Sequence, residues 1–174
     1  MSTVSKKICL LGHFGVGKTS LIRRFVECQF SDEYLSTVGV KISRKTLELP
    51  KAKPQENLTL QLLIWDLADS TRFKAIAPTY LQGASGAIVV ADINRHETIA
   101  QIPNNIQLFL SVNPKGWIVV AMNKSDLADE AKLAIRSSIH QFKEHEKVLA
   151  TYFTSAKTGL YVDDIFQKLA YKII

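Results

Sequence analysis

The nine residues Gly12-His13-Phe14-Gly15-Val16-Gly17-Lys18-Thr19-Ser20 constrain this chain more than any other stretch. They follow the apolar run Ile8-Cys9-Leu10-Leu11 and precede Leu21-Ile22-Arg23-Arg24-Phe25-Val26. The pattern G-x-x-x-x-G-K-[ST] therefore sits between an expected buried strand and the first turn of an expected helix, the context that gives it meaning. Glycines at 12, 15 and 17 let successive backbone N–H groups turn inward around an anion, because a residue without Cβ tolerates the close approach. A helix starting near Lys18 adds unpaired N–H groups and the positive end of its dipole. Lys18 brings a mobile positive charge, and the Thr19 hydroxyl is a hard oxygen suited to magnesium. Phosphate is the natural guest, which makes Gly12, Phe14, Gly15, Val16, Gly17, Lys18, Thr19 and Ser20 the first candidate binding residues. A glycine-rich connector with a chance lysine is the competing reading; the strand before and the amphipathic helix after argue against it.

At 174 residues the chain is expected to form one domain, residues 1–174, large enough to bury a continuous core without disulfides. It is 47% hydrophobic and 22% charged, and no apolar run approaches the roughly eighteen residues a membrane span requires. Cys9 and Cys28 have no C-x-x-C spacing and no histidine set beside them, which reads as reduced thiols of a cytoplasmic protein. The N-terminus has no apolar signal segment, and Ser2 stands where a myristoyl acceptor needs glycine. The net charge of +6 comes from dispersed basic residues without an aromatic-interleaved basic motif, so no nucleic-acid partner is expected.

After the glycine-rich loop, Leu21, Ile22, Phe25 and Val26 recur at helical spacing. A polar loop from Phe30 to Gly39 follows, then two apolar stretches, Val40 to Leu49 and Leu58 to Trp65, whose proline-containing connector at 50–57 predicts a hairpin. The second strand is expected to stop at Asp66, before a short helix near Arg72 to Ile76 that Pro78 interrupts or begins again. Three strand and helix units complete the chain. Gly86 to Ile93 precedes a helix from about Glu97 to Val112; Trp117 to Met122 precedes one over Glu130 to His145; Val148 to Phe153 precedes a terminal helix with Val162, Ile165, Phe166, Leu169 and Ile173 on one side. This alternation predicts an α/β architecture, an open, mostly parallel sheet with helices on both faces, in which ligands sit at the carboxyl ends of the strands.

Two motifs fall on that rim. Asn123-Lys124-Ser125-Asp126 closes the strand ending at Met122 and presents a carboxylate. An ionised carboxylate only accepts, through two oxygens, and guanine offers two adjacent donors at N1 and N2 where adenine offers no such pair, so Asp126 is expected to select guanine. Thr154-Ser155-Ala156-Lys157 follows the last strand and is placed to give a backbone N–H to the guanine O6 and a lysine stem over the base. Each motif is weak alone, and the two gain force beside the phosphate loop.

With these motifs in order along its whole length, the sequence resembles a Ras-superfamily small GTPase. Leu35-Ser36-Thr37-Val38-Gly39-Val40, Trp65-Asp66 and Tyr80 to Val90 resemble the Rab branch most. The resemblance implies a P-loop NTPase fold, with a six-stranded, mostly parallel sheet, one antiparallel edge strand and about five flanking helices, binding GTP or GDP with Mg2+. It further implies that Phe30 packs on the guanine, that Thr37 reaches magnesium and the γ-phosphate, and that Asp66 holds magnesium through water. Thr19 completes the metal set, and Asn123, Lys124, Asp126, Ser155, Ala156 and Lys157 surround the base. Read without the other motifs, Thr37 is equally a β-branched residue leading a strand, and Phe30 a core side chain at a helix end.

The third motif departs from the family pattern. Where Thr-Ala-Gly-Gln-Glu is usual, Asp66 is followed by Leu67-Ala68-Asp69-Ser70-Thr71. Asp69 replaces a glycine whose N–H approaches the γ-phosphate, adding Cβ and negative charge beside an anion. Ser70 stands at the place of the water-orienting glutamine and is too short for that task, so Lys18 and an ineffective Ser70 are the catalytic candidates. Phe14 is bulky where the family's small residue lets a partner's arginine enter. The expectation is a guanine-nucleotide switch with slow unaided hydrolysis, read by effector, exchange and activating proteins through the loops at 30–40 and 66–80. Alternatives are a pseudo-GTPase interaction module that binds nucleotide without switching, compensation by Thr71 or Asp69, and a P-loop kinase, against which Asp126 argues. No cysteine follows the terminal helix in this sequence, so no membrane anchor is expected in it, and peripheral attachment only through a further tail.

Overall fold

A computed structural model of the chain describes residues 2–33, 35–50, 57–68, 75–127, 142 and 145–174. Six strands form one sheet: β1 (Ser2–Leu11), β2 (Val40–Pro50), β3 (Asn57–Leu67), β4 (Gly86–Asp92), β5 (Trp117–Asn123) and β6 (Val148–Phe153). Their spatial order is β2-β3-β1-β4-β5-β6, and every neighbouring pair is parallel except the β2–β3 hairpin. The expected antiparallel edge strand is therefore β2. The described helices are α1 (Lys18–Glu27), α2 (Ala77–Leu81), α3 (His96–Ala100), α4 (Ile102–Val112) and α5 (Val162–Ile173), with a 3-10 turn at Ser125–Leu127.

Period-two alternation along the central strands sorts their side chains into two cores. Ile8 and Leu10 of β1, Ile88 and Val90 of β4, and Val119 and Ala121 of β5 pack with Leu21, Ile22 and Phe25 of α1 and with Ile165, Phe166 and Leu169 of α5. Cys9 and Leu11, Val89 and Ala91, and Val120 and Met122 point the other way, against Leu81, Ile102, Ile106 and Phe109. Both faces of the sheet are covered, which is why β4 and β5 read as unbroken apolar runs. Phe25 stacks on Phe166 with ring centroids 4.1 Å apart, fixing α1 beside α5; burying each ring contributes roughly 2–3 kcal/mol. Gly86 lies where α5 crosses β4 so closely that a Cβ there would meet Leu169 at 2.7 Å.

Several boundaries differ from the sequence reading, three of them by a clear physical cause. β1 begins at Ser2 although Ser2 to Lys7 is polar, because Ser2 to Lys7 pair residue by residue with Leu58 to Leu63 of β3. β3 runs one residue beyond Asp66, to Leu67, carried by pairing with Val40. The single helix expected over Glu97 to Val112 is split at Gln101, since Pro103 has no N–H to continue the ladder and opens α4 instead. Ala75 and Ile76 form a turn, and Pro78 stands in the first turn of α2, so of the two roles expected for that proline it begins a helix. The connector at 51–56, residues 69–74 and most of the helix expected over Glu130 to His145 lie outside the described residues.

Candidate functional site

The carboxyl ends of β1, β3, β5 and β6 converge on one cavity of about 320 Å³. Its floor is the glycine-rich loop: Phe14, Gly15, Gly17, Lys18, Thr19 and Ser20 line it. Gly12 and Val16 lie beneath, Val16 fully buried. Gly12 takes φ +152° with the Val90 carbonyl so close that any Cβ would collide, so the chain can leave β1 at this angle only with glycine. Lys18 is 8% exposed, and its ammonium donates back to the carbonyls of Gly12 (2.7 Å) and His13 (3.2 Å), tying the loop across its own mouth.

The opposite wall comes from the turns after β5 and β6, with Asn123, Lys124, Asp126, Ala156 and Lys157 all on the cavity. Asn123 is 1% exposed and braces rather than projects. Its Nδ2 donates to the Val16 carbonyl at 2.9 Å, while its Oδ1 accepts from Thr154 Oγ1 (3.2 Å) and the Ala156 N–H (3.3 Å). One amide thus joins the glycine-rich loop to the turns after β5 and β6. Ser155 is fully buried and off the cavity; its hydroxyl donates to Asp126 Oδ1 at 2.6 Å and holds that carboxylate in place. Lys124 has φ +64°, and its ammonium pairs with Asp92 at 2.8 Å. Phe30 lines the cavity and also packs against the core beside α1, so its two sequence readings are compatible.

A third group gathers at the other end. Thr19 Oγ1 lies 2.8 Å from Thr37 Oγ1 and donates to Asp66 Oδ2. Asp66 is 2% exposed, and its Oδ1 is buried with no hydrogen-bond partner among the described residues. Burial pushes its carboxyl above the ordinary range, against the pull of Thr19, Lys18, Lys41 and Thr37. A buried carboxylate with one orphaned oxygen beside two hydroxyls offers the hard donors that Mg2+ takes, so the residues expected to hold that ion fit it. Ser70 and Asp69 lie outside the described residues.

Several contributors gave no signal in the sequence. Asp32, Glu33 and Leu35 line the cavity from the loop after α1, and Arg23 from α1 itself. Arg24 donates to the carbonyls of Ala156 and Lys157, clamping the base-side turn to α1. These roles depend on pairs 132 and 133 residues apart.

Residues 7–174 match the Ras family. The chain belongs to that family. It is 35% identical to the GTP-binding protein ypt5 of Schizosaccharomyces pombe over 98% of its own length and 79% of the relative's. It is 34% identical to the mouse Ras-related protein Rab-22A, over 96% of this chain and 82% of that one, and 35% identical to the Ras-related protein Rab5 of Nicotiana tabacum, over 99% and 82%. It is thus a Rab-like small GTPase by descent, with the six-stranded, mostly parallel sheet of the Ras-like P-loop fold and a third motif, Asp66-Leu67-Ala68-Asp69-Ser70, of its own. Among the described residues no helix of this GTPase is long and apolar enough to cross a membrane.

Proposed function

We propose that this Ras-family chain binds GTP and GDP with Mg2+ in the cavity at the strand ends, hydrolyses GTP slowly when unaided, and signals its nucleotide state through the loops at 30–40 and 66–80. The observation that carries the reading is the convergence of the glycine-rich loop, Asp126, Thr19 and Thr37 on one cavity, with Asp66 behind it, joined through the Thr19 hydroxyl. Asp126, held by Ser155, accepts hydrogen bonds from the guanine N1–H and N2–H. Gly15 to Ser20 and Lys18 surround the phosphates with N–H groups and one ammonium. Thr19 and Thr37, with Asp66 through water, would hold Mg2+, which when bound neutralises phosphate charge. Leu35 and Val38, 70% and 91% exposed, flank Thr37 and give a protein partner an apolar surface tied to the metal end of the site.

Slow hydrolysis rests on residues 69 and 70 of the sequence. By the resemblance, Ser70 stands where a longer glutamine orients the attacking water, and Asp69 stands where a glycine N–H approaches the γ-phosphate. Single-turnover hydrolysis of GTP by wild type and Ser70→Gln tests it; an unassisted wild-type rate equal to that of ordinary small GTPases refutes it. The same two residues favour a second reading, a pseudo-GTPase module that binds nucleotide without switching. Identification of the nucleotide retained on purification, with titration of fluorescent GDP, GTP and ATP analogues, separates the readings. Equal affinity for GDP and GTP, with no difference in protease sensitivity of the 30–40 loop, selects the module, and a preference for ATP rejects both.

A further inference from the structure

Arg95 lies outside the phosphate loop, between β4 and α3, and belongs to none of the nucleotide-binding motifs. Its backbone is fixed at both ends: its N–H donates to the Asp92 carbonyl at 3.0 Å, and its own carbonyl accepts from Thr98 Oγ1 at 2.7 Å. From this anchored position the guanidinium uses three nitrogens. Nε donates to Glu97 Oε1 at 2.9 Å, Nη1 to the Phe14 carbonyl at 2.7 Å, and Nη2 to His13 Nδ1 at 3.2 Å. His13 Nδ1 also lies 3.3 Å from the Phe14 carbonyl; because a guanidinium only donates, the ring that accepts from Arg95 carries no proton on Nδ1 and makes no hydrogen bond to that carbonyl. A Cβ at Gly15 would lie in ordinary contact with Nη1, at 3.4 Å, which places the guanidinium against the loop.

No peptide bond among the described residues is cis, so the Phe14 carbonyl and the Gly15 N–H, which share one peptide plane, point in opposite directions. We infer that Arg95 is a positioning residue of the phosphate loop: by holding the Phe14 carbonyl outward it aims the Gly15 N–H into the cavity, at phosphates beyond the first. Its fixed positive charge adds to the field there. Lys18 ties the Gly12 and His13 carbonyls from inside, and Arg95 ties the next one from outside, so consecutive peptides of the loop are oriented before any ligand arrives. Glu97, 62% exposed at its side chain, sets the angle of the guanidinium.

The inference rests on the nucleotide-binding reading of the cavity, and the experiment separates the two. GDP and GMP share base, ribose and first phosphate, so their affinity ratio isolates what the loop gives to the second phosphate. Binding of fluorescent GDP and GMP is measured for the full chain as wild type, Arg95→Ala, Arg95→Lys and Glu97→Gln, with melting temperatures as the folding control. Arg95→Ala is expected to weaken GDP about tenfold, the size of one charge-assisted hydrogen bond, and GMP less than about twofold. Arg95→Lys, whose single ammonium reaches one acceptor, recovers part of the loss, and Glu97→Gln narrows the ratio by about twofold. Equal losses for GDP and GMP, or no loss for either, overturn the assignment. Should Arg95→Ala not fold, the Glu97→Gln ratio decides alone, and an unchanged ratio overturns it. A wild type that binds neither nucleotide refutes the site reading itself.

Discussion

Replacing Asn123 by alanine removes the side chain that connects the two halves of the site. The amide orientation is not ambiguous: the Val16 carbonyl can only accept and the Ala156 N–H can only donate, so Nδ2 faces the first and Oδ1 the second. Asn123→Ala leaves both groups and the buried Thr154 hydroxyl short of a partner at a position 1% exposed to water. A made hydrogen bond is worth about 1 kcal/mol net and a stranded buried group costs about 1–3 kcal/mol. Two of the three bonds are long, at 3.2 and 3.3 Å, so the total is about 2–4 kcal/mol. For a chain of this size that lowers the melting temperature of the nucleotide-free protein by roughly 5–12 °C. Asn123→Asp should do at least as much damage, because it sets a charged oxygen against the Val16 carbonyl. Calorimetry or circular-dichroism melting of wild type and both variants, with GDP release followed in parallel, measures the effect. A loss under about 2 °C for Asn123→Ala, or an aspartate variant more stable than the alanine one, would refute the bracing role.

Three further outcomes are expected. Ser155→Ala frees Asp126 from its 2.6 Å partner, so release of fluorescent GDP should quicken about tenfold while the nucleotide-free protein loses only about 1–2 kcal/mol in urea unfolding. Burial pushes the Cys9 thiol up to about 12 while Cys28 is exposed, so native protein should take up one equivalent of iodoacetamide, at Cys28, and the second only after denaturation. The Asp66 carboxyl is raised by burial, so the stability contributed by its protonated form is fully present below the unfolded-state value, about 3.9, and is lost as pH rises through the folded one. In EDTA, Asp66→Asn should therefore gain on wild type in urea unfolding as pH rises from about 4 to 8, and with Mg2+ and GDP the order should reverse.

How much of the site could be read in advance depends on sequence distance. The glycine-rich loop at the cavity floor was legible because its pattern is local: three glycines, a lysine and a threonine within nine residues, between an apolar strand and an amphipathic helix. Asp126 was legible as a carboxylate at a strand end, and the partner that orients it was named, though as a base contact rather than as its buried support. The sequence places Asn123 at a strand end on the rim; that its amide also binds backbone and side-chain groups of two other loops follows only from tertiary structure. Arg24 and Arg95 were invisible, because an arginine on an exposed helix or turn has no local pattern that shows which carbonyl it will meet.

The sequence by itself determined the alternation of strand and helix, the chemistry offered at each strand end and the order in which those ends appear, since these follow from residue type and short-range periodicity. Only the tertiary structure decided where β1 begins, where the helix after β4 breaks and which side chains hold the site together. Those features arise from pairings across the sheet and from hydrogen bonds between distant loops: polar Ser2 to Lys7 become a strand because β3 supplies the partners, and the amide of Asn123 acquires its role only when chain folding brings Val16 within its reach.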